Sequence, residues 1–266
     1  MNPAGAEQAS FLQVAEQAAE AAGAVIRPLF RSKLLVEAKG DASPVTEADR
    51  AAERAMRDLI AANFPHHGIL GEEYGSERAE AEWLWVLDPI DGTRAFLTGR
   101  PLFGTLIALL RHGVPVLGII DQPVTGERWT GVVGRPTMFV SPMGGTPRCR
   151  PCASLAEAEL SCTAPDLFAF GDDGRFERLR RAARRVTWGG DCYGYGLVAL
   201  GLVDVVAESG LKTWDWAALV PVIEGAGGSV TDWLGAPLRL GALGHVLALG
   251  DAALLAEAVG LLAAQD

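Results

Sequence analysis

Trp83-Leu84-Trp85-Val86-Leu87-Asp88-Pro89-Ile90-Asp91-Gly92-Thr93 opens as an unbroken apolar run and turns abruptly acidic. A short apolar run of this kind, without helical spacing, predicts a strand buried on both faces. The strand is expected to end at Asp88 and to deliver that carboxylate at its C-terminal edge. Pro89 fixes one φ and Gly92 permits a tight return. Such a turn can aim Asp88, Asp91 and an intervening backbone oxygen at one point, as a hard divalent cation requires. Turns also use Asp, Pro and Gly freely, so this segment alone reads equally well as a plain turn.

Working outward, the apolar spacing predicts helices and strands in alternation. Phe11, Val14, Ala15, Ala18, Ala22 and Ile26 recur near a 3.6 period and predict a helix over 6–28. Ala52, Ala55, Met56, Leu59 and Ile60 share one face of a second helix. Thr46 and Asp49 resemble a capping box at its start, and Phe64-Pro65 closes it. Ile69-Leu70 leads into Gly71-Glu72-Glu73. The runs at 104–110 and 114–120 flank Arg111-His112-Gly113 and predict a hairpin, with a further strand at 127–133. Pro136, Pro142, Gly144, Gly145, Pro147 and Pro151 suggest a boundary between two halves, residues 1–145 and 146–266, joined in one compact unit. Helices are predicted over 176–185, 193–199, 216–225 and 252–262, with strands at 203–207 and 246–249. This mixture predicts sheets layered with helices.

Composition narrows the classes. Of 266 residues, 49% are hydrophobic and 21% charged, which excludes a wholly disordered chain. A formal charge of -10 disfavours gripping nucleic acid through the overall field, so no nucleic-acid partner is expected. No tract approaches ~18 uncharged apolar residues, and no membrane partner is expected. The N-terminus lacks a basic region followed by a long apolar run, which makes the cytoplasm the expected location. Cys149 and Cys152 form a CxxC that could be half a zinc site, a redox pair or plain thiols. With no second CxxC and no histidine grouped beside it, plain thiols are favoured.

Further acids bear on the turn at 88–93. Glu72 and Glu73 precede it, Asp49 opens a helix, and Asp215 sits in Lys212-Thr213-Trp214-Asp215-Trp216-Ala217-Ala218. An Asp before an apolar helix is commonly just its N-cap. Converging acids, however, repel one another and need countercharge, which a metal ion supplies.

Taken together, Ser43-Pro44-Val45-Thr46-Glu47-Ala48-Asp49, Gly71-Glu72-Glu73, Asp88-Pro89-Ile90-Asp91-Gly92-Thr93 and Trp214-Asp215-Trp216-Ala217-Ala218 resemble, in order, the motifs of the inositol monophosphatase-like superfamily of magnesium-dependent sugar phosphatases. The resemblance implies an α+β fold of α-β-α-β-α layers, a homodimer, and Mg2+ as cofactor, two or three ions per subunit. It implies that Glu72, Asp88 and the Ile90 carbonyl hold a first ion and that Asp88, Asp91 and Asp215 hold a second. A third would lean on Glu72. Asp49 and Thr93 would orient and help deprotonate the attacking water, with Glu73 behind them. Gly92 and Thr93 would donate hydrogen bonds to the phosphate. The partner implied is a small-molecule phosphate monoester.

Two further stretches resemble the histidinol-phosphatase branch: the run from Asp91 to Leu109 with its continuation to Trp129, and Trp188-Gly189-Gly190-Asp191-Cys192-Tyr193-Gly194-Tyr195-Gly196 with Val205-Val206-Ala207-Glu208. Histidinol phosphate carries an ammonium and an imidazole, which Asp191 and Glu208 could bind, beside Asp215 on the substrate side. The expected reaction is hydrolysis of L-histidinol phosphate in histidine biosynthesis. Asp191 as a cap for a helix from Cys192, and Glu208 as a surface acid, are the plainer readings. An inositol or broad-specificity sugar monophosphatase is the alternative enzyme, and a partner-binding regulatory protein with weak phosphatase activity is the alternative class.

Overall fold

The run at 83–87 is continuous because its alternate residues serve two different cores. Trp85 and Leu87 enter one apolar cluster, Leu84 and Val86 the other. The computed structural model describes residues 3–32, 36–38, 44–168 and 172–263. Ser43, part of the first motif, lies outside them.

The chain begins with α1 (Pro3–Leu29), a short ribbon of β1 (Val36–Ala38) and β2 (Pro44–Thr46), and α2 (Glu47–Asn63). Then come β3 (Gly68–Gly71), β4 (Gly75–Glu77), β5 (Trp83–Asp91), α3 (Thr93–Leu97), β6 (Gly104–Arg111), β7 (Val114–Gln122), β8 (Glu127–Val132) and β9 (Met138–Val140). After a loop follow β10 (Glu159–Cys162), α4 (Asp172–Ala182), β11 (Arg185–Trp188), α5 (Asp191–Ala199) and β12 (Val205–Glu208). The chain continues with α6 (Thr213–Trp216), α7 (Leu219–Gly225), β13 (Ser229–Thr231), β14 (Val246–Leu249) and α8 (Leu255–Ala263).

Two sheets organise these elements. One has seven strands in the order β4-β3-β5-β6-β7-β8-β9, the other five in the order β11-β10-β12-β14-β13. Helices α1 and α2 cover the outer face of the first sheet. Helices α5, α6 and α7 fill the space between the sheets, and α4 and α8 cover the far face of the second. This is the expected α-β-α-β-α layering. The alternation that built β5 recurs in β14, where Val246 and Ala248 face the middle layer and Leu247 and Leu249 face α4 and α8. Among the described residues, no helix is long and apolar enough to cross a membrane.

Several expected boundaries hold for local reasons. Thr46 caps α2, with its side chain accepting from Ala48 N while Asp49 bonds back to Thr46 N. The β6–β7 hairpin turns at His112-Gly113, both at positive φ (48° and 75°), the sign that a two-residue turn with the right twist needs. Others move. Strand β5 does not stop at Asp88: pairing with β6 resumes at Asp91 after an irregularity spanning Pro89, which has no N–H to give. Helix α4 occupies 172–182 rather than 176–185, because Arg185 opens β11, paired in parallel with β10. Helix α5 starts at Asp191 rather than 193, and β12 is 205–208 rather than 203–207. The helix expected over 216–225 is two pieces, α6 and α7. Pro221 cannot donate to the Ala217 carbonyl, where a continuous helix needs that bond. Cys149 and Cys152 are free thiols, bonded to the Val198 and Ser154 carbonyls respectively. Partial burial pushes the Cys149 thiol up to about 11, which suits a poorly reactive thiol.

Candidate active site

Strand β5 delivers its acids where the layers meet. Asp88 is 1% exposed, and its Oδ1 accepts from Ile90 N at 3.0 Å. The intervening peptide is pinned by Thr105, whose hydroxyl donates to Pro89 O at 2.8 Å. Gly92 then takes the left-handed conformation (φ 84°, ψ 41°) and starts α3, and the Thr93 hydroxyl donates to Ile90 O at 3.2 Å. Asp91 is held from the other half of the chain: its Oδ2 accepts from Cys192 N at 2.5 Å. Asp215 arrives on α6, with Oδ2 accepting from Lys212 N at 2.6 Å. It therefore lies inside its helix, accepting from the N-cap Lys212 three residues earlier, rather than acting as a plain N-cap.

Asp88, Asp91 and Asp215 each offer a carboxylate oxygen within 4.8 Å of the others. Burial, then the charges of neighbouring acids, drives Asp88 and Asp91 well above the ordinary carboxylate range. Burial, and behind it the Glu72 and Glu208 carboxylates, pushes Asp215 up to about 7 against the pull of its Lys212 N bond. Glu72 stands beside Asp88 because β3 runs parallel to β5 and its successor bonds there, Glu72 N donating to Leu87 O at 3.2 Å. Asp49 closes the group. Its Oδ2 accepts from Thr46 N and the Thr46 hydroxyl, whereas its Oδ1 is buried without a partner. Mutually repelling carboxylates, Asp88 buried and Asp91 and Asp215 half-buried, together with an orphaned carboxylate oxygen are what a hard divalent cation and its water satisfy, so the residues fit such an ion.

The raised pKa values carry a stability consequence. A carboxyl whose folded pKa exceeds its unfolded value binds its proton more tightly when folded. Its contribution is therefore complete below the unfolded value and is lost progressively as pH rises from there through the folded one. For Asp215 that window runs from about 4 to about 7. Metal-free protein should thus lose what remains of this contribution on going from pH 5.5 to pH 8. The rise in Tm on adding magnesium should be larger at pH 8, where the acids are ionised and repel. Paired melts with chelator and with Mg2+ at both pH values check this. An equal metal-induced rise at the two would contradict a buried carboxylate cluster.

A cavity of about 170 Å³ adjoins the cluster, lined by Asp91 and Asp215 together with Asp191, Glu208, Thr163 and Tyr195. Glu208 is buried (4% exposed), which corrects its reading as a surface acid. Its Oε1 accepts from Thr163 N at 2.6 Å and its Oε2 from the Tyr195 hydroxyl at 2.9 Å. Asp191 is the first residue of α5 and Gly190 holds the N-cap position, so the plain cap reading fails. It holds φ at 44°, and its N–H donates to the Thr163 hydroxyl at 3.0 Å. Burial, then the Glu208 charge, pushes Asp191 up to about 7, while Arg94 and Arg100 oppose that rise. Among the described residues, neither Asp191 nor Glu208 has a cationic side chain paired with it.

Sequence reasoning missed Thr163, which ties both acids together, and Glu53, whose carboxylate backs the Glu72–Tyr74 turn. Glu53 had a signal. Asp49, Glu53 and Arg57 recur every four residues beside the apolar stripe of Ala48, Ala52, Met56 and Ile60, and all seven are buried. A charge repeated along a buried helix face calls for partners beneath it. Thr163, a single polar residue after a short strand, had none.

The comparisons agree with this geometry. The model of the inositol monophosphatase family matches residues 7–263. "Bifunctional phosphatase IMPL2, chloroplastic" of Arabidopsis thaliana is 50% identical over 227 residues, 85% of this chain, which spans 65% of that protein's length. A histidinol-phosphatase of Chlorobaculum parvum is 38% identical over 84% of this chain and 86% of its own. The solved structure of an inositol monophosphatase from Zymomonas mobilis is 48% identical, with a TM-score of 0.86 over 95% of this chain and 97% of that one.

Proposed function

This chain belongs to the inositol monophosphatase family, and from that premise we propose that the phosphate monoester it cleaves is that of a small cationic amino alcohol, with L-histidinol phosphate as the ester that suits the pocket. It is a metal-dependent phosphate monoester hydrolase, with a carboxylate cluster able to hold a metal ion. The observation that carries the finer reading is that Asp191 and Glu208 line one cavity and, among the described residues, neither is ion-paired with a cationic side chain, Arg94 and Arg100 offsetting only part of the Asp191 rise. A neutral polyol leaves that charge uncompensated, whereas an ammonium compensates it.

The residues then divide the work. Glu72, Asp88, Asp91, Asp215 and the Ile90 carbonyl would hold the ions, for which we propose Mg2+, two or three per subunit. Such ions, when bound, neutralise phosphate oxygens, lower the pKa of water and stabilise the leaving alkoxide. The orphaned Oδ1 of Asp49 and the Thr93 hydroxyl would orient the attacking water and accept its proton. Backbone N–H groups at Gly92 and Thr93 would steady the phosphate, and Glu73 stands behind Glu72. Asp191 would take the ammonium and Glu208 the imidazole N–H. A homodimer completes the reading, and light scattering tests it.

The deciding measurement is the ratio of kcat/KM for histidinol phosphate and glycerol phosphate in wild type and in Asp191→Asn. The substitution should cost about tenfold or more on the first ester and little on the second, since truncating a buried charged pair costs about 2–5 kcal/mol. Equal losses on both esters in folded protein would remove Asp191 as a specificity residue. A second reading, inositol monophosphate, has its own support and stands at least as well on the comparisons alone. The Zymomonas mobilis protein, similar over 95% of this chain, is described as an inositol monophosphatase. A wild type that prefers inositol monophosphate to histidinol phosphate decides for that reading.

A further inference from the structure

Glu53 is wholly buried on α2, one turn beyond Asp49, and lies behind the cluster rather than in it. Its carboxylate collects donors from the segment that carries Glu72. Its Oε2 accepts from Glu73 N at 2.7 Å, and its Oε1 accepts from Tyr74 N at 3.2 Å and from Arg57 Nε at 2.7 Å. Arg57 continues the clamp, donating to Glu77 Oε1 at 2.9 Å and to the Gly75 carbonyl. The approach is close enough to dictate the neighbouring residue, since a Cβ on Gly71 would lie 2.0 Å from Glu53 Oε1. The β3–β4 turn is therefore bolted to α2, the helix that also supplies Asp49.

We infer that Glu53 is a positioning residue for the metal site: it holds the Glu72-Glu73-Tyr74 turn so that the Glu72 carboxylate stands beside Asp88 before any ion arrives. The inference rests on the proposal that Glu72 is a ligand. Its physical basis is acceptor count. Three N–H donors converge on one carboxylate, and two of them belong to the backbone of the turn. An amide at position 53 would put an N–H₂ against an N–H, leaving one donor buried and unsatisfied. The turn would shift to regain a partner and carry Glu72 with it. A loosened ligand weakens metal affinity, whereas geometry restored by a high metal concentration returns turnover.

The test is calorimetric titration of Mg2+ into metal-free wild type, Glu53→Gln and Glu72→Gln, with kinetics alongside. Glu53→Gln should bind Mg2+ about tenfold more weakly or worse. At saturating metal its kcat should recover to within about threefold, with KM for the ester unchanged. A purely structural role would lower Tm and leave the metal titration where it was, and that result overturns the inference. Weakened binding in Glu72→Gln with wild-type binding in Glu53→Gln removes the positioning role alone. Wild-type binding in both removes Glu72 as a ligand. Should Glu53→Gln fail to fold, amide exchange in the metal-free wild type decides: the Glu73 and Tyr74 N–H groups should already be protected, and rapid exchange there overturns the claim.

Discussion

Asp88→Asn is expected to lower kcat by about a thousandfold or more while making the metal-free protein more stable. Both effects come from one carboxylate. Asp88 is buried, faces Glu72, Asp91 and Asp215, and is the acid common to both proposed ion positions. The neutral amide keeps the size and can still accept from Ile90 N through its oxygen. It removes a like charge from a crowded, poorly solvated group, so the metal-free fold gains. The same change removes a charged ligand oxygen, and metal ions supply several kcal/mol of transition-state stabilisation. A loss of about 4 kcal/mol is about a thousandfold in rate. Steady-state kinetics at high Mg2+ and melts in chelator measure the two sides. A variant with more than about a tenth of wild-type kcat would show that Asp88 is not central. A lower metal-free Tm would show that the cluster does not strain the fold.

The contrast between Asp88 and Glu53 explains how far the sequence could be read. Strand β5, the β6–β7 hairpin, β14 and the start of α2 were legible because each carries a local signature: a two-sided apolar run, a turn dipeptide, a cap. Strands β10 and β11, absent from the sequence-based expectations, have four residues each, and β11, Arg185-Val186-Thr187-Trp188, is largely exposed at a sheet edge, so neither alternation nor continuous burial marks it. The acids on short motifs were found, because their spacing and order resemble a known family. Their supports were not. Glu53 left only a charge repeat along one helix face, whereas Thr163 and Tyr195 act across strands and layers, and separations such as the 45 residues between Thr163 and Glu208 leave no trace in a linear pattern. The paired parallel strands β10 and β12 bring those residues together, and pairing is a property of the fold.

Gly92→Ala is expected to lower kcat/KM by about a hundredfold, through two separable causes. Gly92 sits at φ 84°, where a Cβ crowds the following carbonyl at a cost of about 1–2 kcal/mol. The turn relieves that strain by moving, and Asp91 and Thr93 flank it directly. The second cause lies across the cavity: a Cβ on Gly92 would stand 2.8 Å from Asp191 Cγ and 2.9 Å from Asp191 Oδ2. Asp191 must swing away, and the proposed ammonium contact, worth about tenfold, goes with it. A double-mutant cycle separates the causes. Asp191→Gly removes the three nearest atoms, Asp191 Cβ, Cγ and Oδ2, and suits the φ of 44° at that position. In that background Gly92→Ala should cost only about tenfold, the share due to backbone strain. A penalty equal in both backgrounds would mean that residues 92 and 191 do not press on each other. An intact Tm in the single variant would place the loss at the site rather than in the fold. The glycine after Asp91 would then serve both sides of the cavity, giving the turn its return path and leaving Asp191 the space to face the substrate.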